Sequence, residues 1–420
     1  MDVNSDYSGY SQNLVLANPQ SSPSQVSNSS GVQQGNVTQS PVSFQQSQNS
    51  IPKVNTDIDI SQEIFEEVEV IRKQISQQDV PEEIKTNVGR MINRLYRMAK
   101  FGSYSIEFEV VSKYVDVITS IPWNKYTKDV IDVKNAKAIM DQTHYGMDLV
   151  KNMILDYLAV MQMQRSKDLL DSQGKPTFRA PVFCFVGLQG VGKTSIAKSI
   201  AQALGREFVR IPMGALGSVK ELRGVGKNSV DADPGLIIKA LIKAKTLNPV
   251  MLLDEIDKTS GQEGLRSDMM SFLLEVLDPE QNSHFVDYYI DHPVDLSQVF
   301  FITTANTTGT ISTALLDRLE VIRFTSYSDE EKIIIGKRYV LPAISKELGL
   351  SDTQIIFDED VWPDIVRPLG FDAGIRQLER NIAKICRSVI REIFEQGVTQ
   401  VRITKDNIRK YMPIGVAVLN

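Results

Sequence analysis

The sequence predicts an α/β fold in which a parallel sheet is flanked by helices. Short apolar runs at 182–186, 250–253 and 299–303 alternate with helical stretches, a pattern typical of parallel strands covered on both faces. The regions on either side have helical periodicity instead, which predicts a small helical bundle before the sheet and an α-helical lid domain after it. With 420 residues, 42% of them apolar and 23% charged, the chain has room for two or three domains.

The region before the sheet, residues 58–123, has the periodicity of three amphipathic helices. Apolar residues recur at helical spacing within 64–75 and within 84–95, and Pro81 between them is a favourable first-turn residue. A third helix is predicted over 106–119. We therefore expect these helices to form the bundle.

The central domain is expected to span residues 124–340 and the lid domain residues 341–415. Helices are predicted over 132–141 and 147–164, with a turn at His144, Tyr145 and Gly146 between them. In the lid, we predict a single short strand at 401–403 and four helices, at 341–348, 359–366, 374–395 and 405–411.

The two ends of the chain are expected to be tails. Residues 1–57 are rich in Ser, Gln and Asn and follow no helix or strand period, which predicts disorder. A sticky tether of the Gln/Asn-rich kind is the alternative interpretation. Residues 416–420 form a short second tail.

Composition argues against several classes of protein. No window approaches 18 uninterrupted apolar residues and the N-terminus does not resemble a secretion signal, so we expect no membrane span and a cytoplasmic location. The two cysteines, Cys184 and Cys386, are expected to be buried free thiols, and the three histidines do not have zinc-site spacing. A net charge of −6 gives no strong nucleic-acid signal.

A complete phosphate-binding loop follows the first apolar run. It consists of Gly187, Leu188, Gln189, Gly190, Val191, Gly192, Lys193 and Thr194. The glycines let successive backbone N–H groups turn toward phosphates, Lys193 reaches the β and γ oxygens, and the Thr194 hydroxyl can bind Mg²⁺. Because strand, loop and helix come in the required order, the sequence predicts a site for ATP and Mg²⁺.

An acidic pair and an amide follow the other two predicted strands. Asp254 ends the second strand and can hold the magnesium shell, and Glu255 is placed to polarise the attacking water. Asn306 follows the third strand and can orient the water or the γ-phosphate. Taken alone, Asp-Glu is also a common helix start and Asn a common turn residue.

Taken together, these motifs resemble the AAA+ module of Lon-type ATP-dependent proteases. The resemblance includes Leu-Leu-Asp-Arg at 315–318, Gly-Ile-Arg-Gln-Leu-Glu-Arg at 374–380, and above all the stretch 274–306 with its Glu-Val-Leu-Asp-Pro-Glu-Gln-Asn run. It extends from about residue 63 to about residue 411 and therefore implies an AAA+ P-loop NTPase fold with a Lon-like helical neck.

The resemblance implies roles that periodicity cannot assign. Arg318 corresponds to the arginine finger that reaches a neighbouring subunit's γ-phosphate, and Arg376 to the lid residue that senses the same group. A finger acting in trans implies a homo-oligomeric ring, a hexamer in this family. His144 and Tyr145 fall where the family packs the adenine. The alternatives are a surface ion pair for Arg318, a helix-capping charge for Arg376, and core packing for His144 and Tyr145.

Two features depart from the family pattern. The family places a Ser-Lys protease domain after the lid and a β-rich substrate domain before the neck, and we expect neither here. In the loop 223–233, Ser229 stands where the family has a pore-facing aromatic, and a serine offers little apolar area to grip a polypeptide. The second pore-facing segment, 258–267, also lacks an aromatic residue and is expected to be flexible.

The leading functional hypothesis is therefore a Lon-type ATPase that remodels proteins without its own peptidase, with or without a separate protease as partner. One alternative is a nucleotide-gated scaffold ring that does not translocate polypeptide. Another is a truncated piece of an ATP-dependent Lon serine protease.

Overall fold

The computed structural model describes residues 56–99, 106–166, 181–258, 263–367 and 372–412. The N-terminal tail predicted for residues 1–57 lies outside these ranges except for its last two residues, and the tail at 416–420 lies wholly outside them. Within the described part of the chain, none of the helices has the length and apolar character that a bilayer span requires.

Three helices precede the sheet: α1 (Thr56–Gln77), α2 (Glu82–Ala99) and α3 (Ile106–Ser120). Their apolar stripes meet in one core, in which Val68, Val88 and Val115 have no exposed surface. Glu82 and Glu83 lie in the first turn of α2, where negative charge is favourable to the helix dipole. The helical region predicted from periodicity is confirmed.

Two further helices lead into the sheet, α4 (Val133–Thr143) and α5 (Asp148–Ser166). Asp132 caps α4 by accepting hydrogen bonds from two backbone N–H groups of its first turn. The turn between α4 and α5 includes Gly146 and Met147, both with positive φ. This turn places His144 and Tyr145 beside the sheet.

The central sheet has five parallel strands in the order β2-β3-β6-β1-β7. The strands are β1 (Val182–Val186), β2 (Phe208–Pro212), β3 (Val250–Asp254), β6 (Phe300–Ala305) and β7 (Leu319–Arg323). The three central strands are buried throughout, whereas β2 and β7 at the edges carry exposed residues. The sequence predicted only the three central strands because charged residues interrupt the apolar pattern of the edge strands.

Helices cover both faces of the sheet. They are α6 (Lys193–Leu204), α7 (Lys220–Arg223), α8 (Leu236–Ala244), α9 (Glu263–Leu277) and α10 (Thr313–Leu316), and a small hairpin, β4 (Phe285–Val286) with β5 (Pro293–Val294), precedes β6. Successive residues of β1 enter opposite cores: Phe183 packs on the α4, α5 and α6 side, and Cys184 on the side of α8 and α9.

The lid region comprises α11 (Asp329–Ile335), a π-helical segment (Gly336–Val340), α12 (Leu341–Leu348), α13 (Trp362–Val366), α14 (Arg376–Gln396) and α15 (Ile408–Tyr411). The first two of these elements lie in the range expected for the central domain, but their residues Ile335 and Val340 pack in the same core as Trp362. The lid region also contains a parallel pair of short strands, β8 (Ile355–Phe357) and β9 (Val401–Ile403). The expectation of a single lid strand was therefore wrong. At three residues, β8 is too short to show a period. Both cysteines are buried free thiols, as predicted.

Candidate nucleotide-binding site

A cavity of about 660 Å³ opens where the carboxyl ends of β1, β3 and β6 meet the lid. Parallel strands place their carboxyl ends at one edge, so residues distant in sequence converge there. Of the site residues that the sequence predicted, those lining the cavity are His144, Tyr145, Gln189, Gly190, Gly192, Lys193, Thr194, Asp254, Glu255, Asn306 and Arg376. Gly187, Leu188 and Val191 belong to the same loop without lining the cavity, and Arg318 lies elsewhere.

The phosphate-binding loop turns on glycines. Gly190 and Gly192 have φ values of +81° and +92°, a region that side chains with a Cβ rarely adopt. At Gly187 a Cβ would lie 2.6 Å from the carbonyl oxygen of Phe324, so bulk is excluded there. The loop leads directly into α6, whose first N–H groups have no intrahelical partner and can bind an anion.

Lys193 is held inside the loop. Its Nζ donates to the carbonyl oxygen of Gly187, lies 3.0 Å from that of Leu188, and lies 3.3 Å from Oδ1 of Asn306. Burial lowers the pKa of Lys193, and the nearby carboxylate of Asp254 opposes that change. The amine is therefore tethered by weak carbonyl partners that a phosphate oxygen can replace.

Thr304, on β6, positions the acidic pair at the end of β3. Its Oγ1 donates to Oδ1 of Asp254 and accepts a hydrogen bond of 2.8 Å from the backbone N–H of Glu255. Glu255 has a φ of +61°, a strained conformation for a residue with a side chain. Thr304 was not among the predicted site residues, although a polar residue in a buried strand was a signal for a role in the site.

Each carboxylate of the pair has a cationic partner. Oδ2 of Asp254 lies 2.7 Å from Nε and 2.6 Å from Nη2 of Arg210, on β2. Oε1 of Glu255 lies 2.7 Å from Nζ of Lys258. Neither cation was among the predicted site residues, and Arg210 lies on the edge strand β2, which the apolar pattern did not predict.

His144 connects the turn between α4 and α5 to the first turn of α6. Its Nε2 lies 2.8 Å from Oγ of Ser195 on α6, and its Nδ1 lies 2.9 Å from Oγ1 of Thr143. Burial, assisted by the charge of Lys151, lowers the pKa of His144 to about 4. The ring is therefore neutral at physiological pH and serves as a hydrogen-bonding group.

The lid contacts the phosphate loop directly. The backbone N–H of Ile375 donates to the carbonyl oxygen of Gly190 at 3.0 Å, and the Tyr327 hydroxyl donates to that of Val191 at 3.1 Å. Arg376, the first residue of α14, follows at once and lines the cavity. The position of α14 and the shape of the loop are thus coupled.

Arg318 lies outside the cavity of its own chain. Its Nη1 is 3.1 Å from Oδ2 of Asp278, and 47% of its side chain is exposed. The ion pair is the alternative that the sequence analysis allowed for this residue.

The loop that contains Ser229 projects from the domain. Its two sides join at Val225 and Asp233, Ser229 is exposed in a turn between them, and Val230 is fully exposed. In the second segment considered, 258–267, residues 259–262 lie outside the described part of the chain.

The oxygen donors in the cavity fit a magnesium ion. Thr194 and Asp254 are oxygen donors on the same cavity wall, and Mg²⁺ is usually held by one or two such protein groups together with phosphate oxygens and water. Within the described ranges no cluster of three or more His, Cys, Asp or Glu side chains is placed to hold a metal.

Comparison with known proteins agrees with this geometry. Residues 183–327 match the ATPase family associated with various cellular activities (AAA), and residues 346–406 match the Lon protease AAA+ ATPase lid domain. Similar curated proteins are the Lon protease of Halothermothrix orenii, 41% identical over 347 residues, and Lon protease 2 of Thermus thermophilus, 42% identical over 348 residues.

Each of these alignments covers 83% of this chain, and 42% and 43% of the relatives respectively. The chain thus spans less than half the length of these curated relatives. Nucleotide binding is the property that the AAA family implies for this site. The chain therefore contains an AAA ATPase domain followed by a Lon-type lid domain, and the motifs of the two domains converge at one cavity.

Proposed function

We propose that this chain binds ATP with Mg²⁺, hydrolyses its terminal phosphate, and uses that turnover to remodel polypeptides as a homo-oligomeric ring. One observation carries the proposal: the loop lysine, the acidic pair and Asn306 lie in a single cavity although up to 113 residues separate them in sequence, from Lys193 to Asn306. Catalysis of phosphoryl transfer depends on such positioning and on charge stabilisation.

Each residue has a defined task in this proposal. Lys193 exchanges its carbonyl partners for the β and γ oxygens, and Thr194 with Asp254 holds Mg²⁺, which neutralises phosphate charge when bound. Glu255 orients and polarises the attacking water, and Asn306 aligns the γ-phosphate or that water. His144 and Tyr145 lie on the cavity wall where the base is expected.

Two substitutions test these tasks. Lys193→Ala should reduce ATP affinity by roughly 100-fold or more, because it removes a charge-assisted contact to phosphate.

Glu255→Gln should leave ATP affinity within about threefold of wild type while lowering kcat by roughly 100-fold or more, because the amide cannot polarise water. Binding is measured with a fluorescent ATP analogue and turnover by release of inorganic phosphate. Equal turnover in wild type and Glu255→Gln would refute the assignment.

A nucleotide-gated scaffold is the second candidate function. The observation that favours it is Ser229, exposed at the tip of its loop where a serine provides little grip on a passing chain. Adding unfolded casein separates the candidates: a remodelling motor turns over ATP faster with casein, and a scaffold does not.

We further propose that the module leaves the casein intact, because neither buried thiol is placed as a nucleophile and burial raises the pKa of both Cys184 and Cys386.

A further inference from the structure

The carboxylate of Asp254 is fully engaged on its cavity side. Asp254 is 5% exposed, and Thr304, which has no exposed surface, donates to its Oδ1 from the protein interior. Nε of Arg210 donates a hydrogen bond of 2.7 Å to the other oxygen, Oδ2, and Nη2 of Arg210 lies 2.6 Å from the same oxygen. The Arg210 guanidinium therefore covers Oδ2, with one hydrogen bond from Nε and a close ionic contact from Nη2.

Arg210 approaches Asp254 from the cavity. It lies on the edge strand β2, next to β3 in the sheet, and its side chain is 52% exposed and lines the cavity together with Asp254 and Thr194. A guanidinium in this position can turn toward solvent once another cation takes its place at Asp254, because about half of its side chain is already exposed. The carboxylate cannot follow it, since the rest of Asp254 is buried and hydrogen-bonded to Thr304.

Mg²⁺ needs the same oxygen. Whether the ion binds Asp254 directly or through a water that donates to it, the bond requires a free lone pair on the oxygen that faces the cavity. We propose that Arg210 competes with nucleotide-borne Mg²⁺ for Oδ2 of Asp254, and that it acts as a positioning residue that keeps this buried carboxylate paired until the metal arrives. This inference rests on the proposed binding of ATP with Mg²⁺.

Charge balance supports this exchange. A buried carboxylate without a partner is costly, so an empty site is more stable when a cation occupies the metal position. Lys258 is not a substitute for Arg210, because its Nζ is 2.7 Å from Glu255. When the metal enters, it replaces one positive partner of Asp254 by another, and Arg210 is released toward the cavity.

The test is the magnesium dependence of nucleotide binding in Arg210→Gln. A fluorescent ADP analogue is titrated at fixed Mg²⁺ concentrations and in EDTA, so that no turnover is needed. Because the competing cation is gone, the Mg²⁺ concentration that gives half of the metal-dependent gain in affinity should fall by roughly three- to tenfold. Affinity in EDTA should fall or stay the same, since a positive charge near the phosphates is lost.

Two further variants serve as controls. Arg210→Lys keeps a point charge without the two-point contact and should give an intermediate Mg²⁺ requirement. Arg402→Gln removes a similar arginine–aspartate pair, 2.7 Å from Asp358 in the lid, and should leave the Mg²⁺ requirement unchanged.

The outcomes separate this inference from the proposed function. A wild-type chain that binds no adenine nucleotide at any Mg²⁺ concentration overturns the proposed function. A wild-type chain that binds, with a folded Arg210→Gln variant whose Mg²⁺ requirement is unchanged or higher, overturns only the competition. If Arg210→Gln does not fold, the comparison of wild type with Arg210→Lys decides, and identical Mg²⁺ requirements then overturn the competition.

Discussion

Buried polar side chains at this site are kept in place by specific partners. His144 is 7% exposed, and both of its ring nitrogens are within 3 Å of hydroxyl oxygens, those of Thr143 and Ser195. Protonation would leave a buried positive charge beside the already charged Lys151, which explains why the His144 pKa is lowered to about 4.

The His144 pKa predicts a loss of stability in mild acid. Between pH 6.5 and 4 the unfolded chain protonates this histidine and the folded chain does not, so the free energy of unfolding falls as the pH falls through that window. We expect this histidine to lower the free energy of unfolding by about 1–2 kcal/mol when the pH falls from 7.5 to 5, measured by urea denaturation at both pH values.

Replacing the ring isolates that contribution. The His144→Gln variant should lack this pH-dependent contribution, so its free energy of unfolding should depend less on pH than that of the wild type. His284→Gln, at an exposed histidine, is the matched control and should behave as wild type does. The interpretation fails if His144→Gln loses as much stability in acid as the wild type.

The connection between α14 and the phosphate loop depends on close backbone approach. A Cβ on Gly374 would lie 2.5 Å from the carbonyl carbon of Gly190 and 2.7 Å from the carbonyl oxygen of Gln189. Both are backbone atoms of the loop and cannot rotate away as a side chain end can. The lid and the loop can therefore keep this contact only with glycine at position 374.

Gly374→Ala should separate the lid from the loop. Because Arg376 begins α14 two residues later, we expect it to move with the lid, and ATP affinity to fall by roughly tenfold or more. The measurement is equilibrium binding of a fluorescent ATP analogue.

Gly89→Ala is a control in α2 that has nothing within 4 Å of the added Cβ. It should leave ATP affinity unchanged and stabilise the helix by up to about 1 kcal/mol, because alanine loses less backbone entropy than glycine. Unaltered affinity in Gly374→Ala would show that the loop does not need this contact.

The neck, which is the bundle of α1, α2 and α3, forms a continuous body with the α/β domain. The hydroxyl of Tyr114, on α3, donates to the carbonyl oxygen of Ile290 at 3.0 Å, and Lys113 donates to that of Ala232 at 2.9 Å. Ala232 belongs to the loop that exposes Ser229, so the neck supports the base of that loop. Movement of the loop is therefore expected to reach the neck.

In the proposed ring, we expect Arg318 to reach the γ-phosphate of a neighbouring subunit. Arg318→Ala and Glu255→Gln should each be inactive alone, since one lacks the finger and the other the base. Mixed rings should recover turnover at roughly a quarter of their sites, where an Arg318→Ala subunit receives the finger of a Glu255→Gln neighbour. The measurement is phosphate release after mixing equal amounts of the two variants.

A second mixture shows whether recovery is specific to the finger. Lys193→Ala and Glu255→Gln alter two groups of one cavity, so no site in their mixed rings is complete and no turnover should return. If the mixture of Arg318→Ala with Glu255→Gln also releases no phosphate, the arginine finger does not act in trans.

The order of motifs along the chain was sufficient to predict the central strands, the phosphate loop and the resemblance to a Lon-type ATPase module. Local geometry dictates these features: a glycine loop needs its glycines at fixed spacing, and a buried strand needs an unbroken apolar run. The helices of the neck and lid follow in the same way from a period of 3.6 residues.

Tertiary structure alone decided the partners of those residues. Arg210 meets Asp254 because β2 pairs with β3, His144 meets Ser195 because α4 packs on α6, and Thr304 reaches both acidic residues from the neighbouring strand β6. The physical reason is that a hydrogen bond or ion pair between distant segments depends on sheet order and helix packing, which leave no period in either segment.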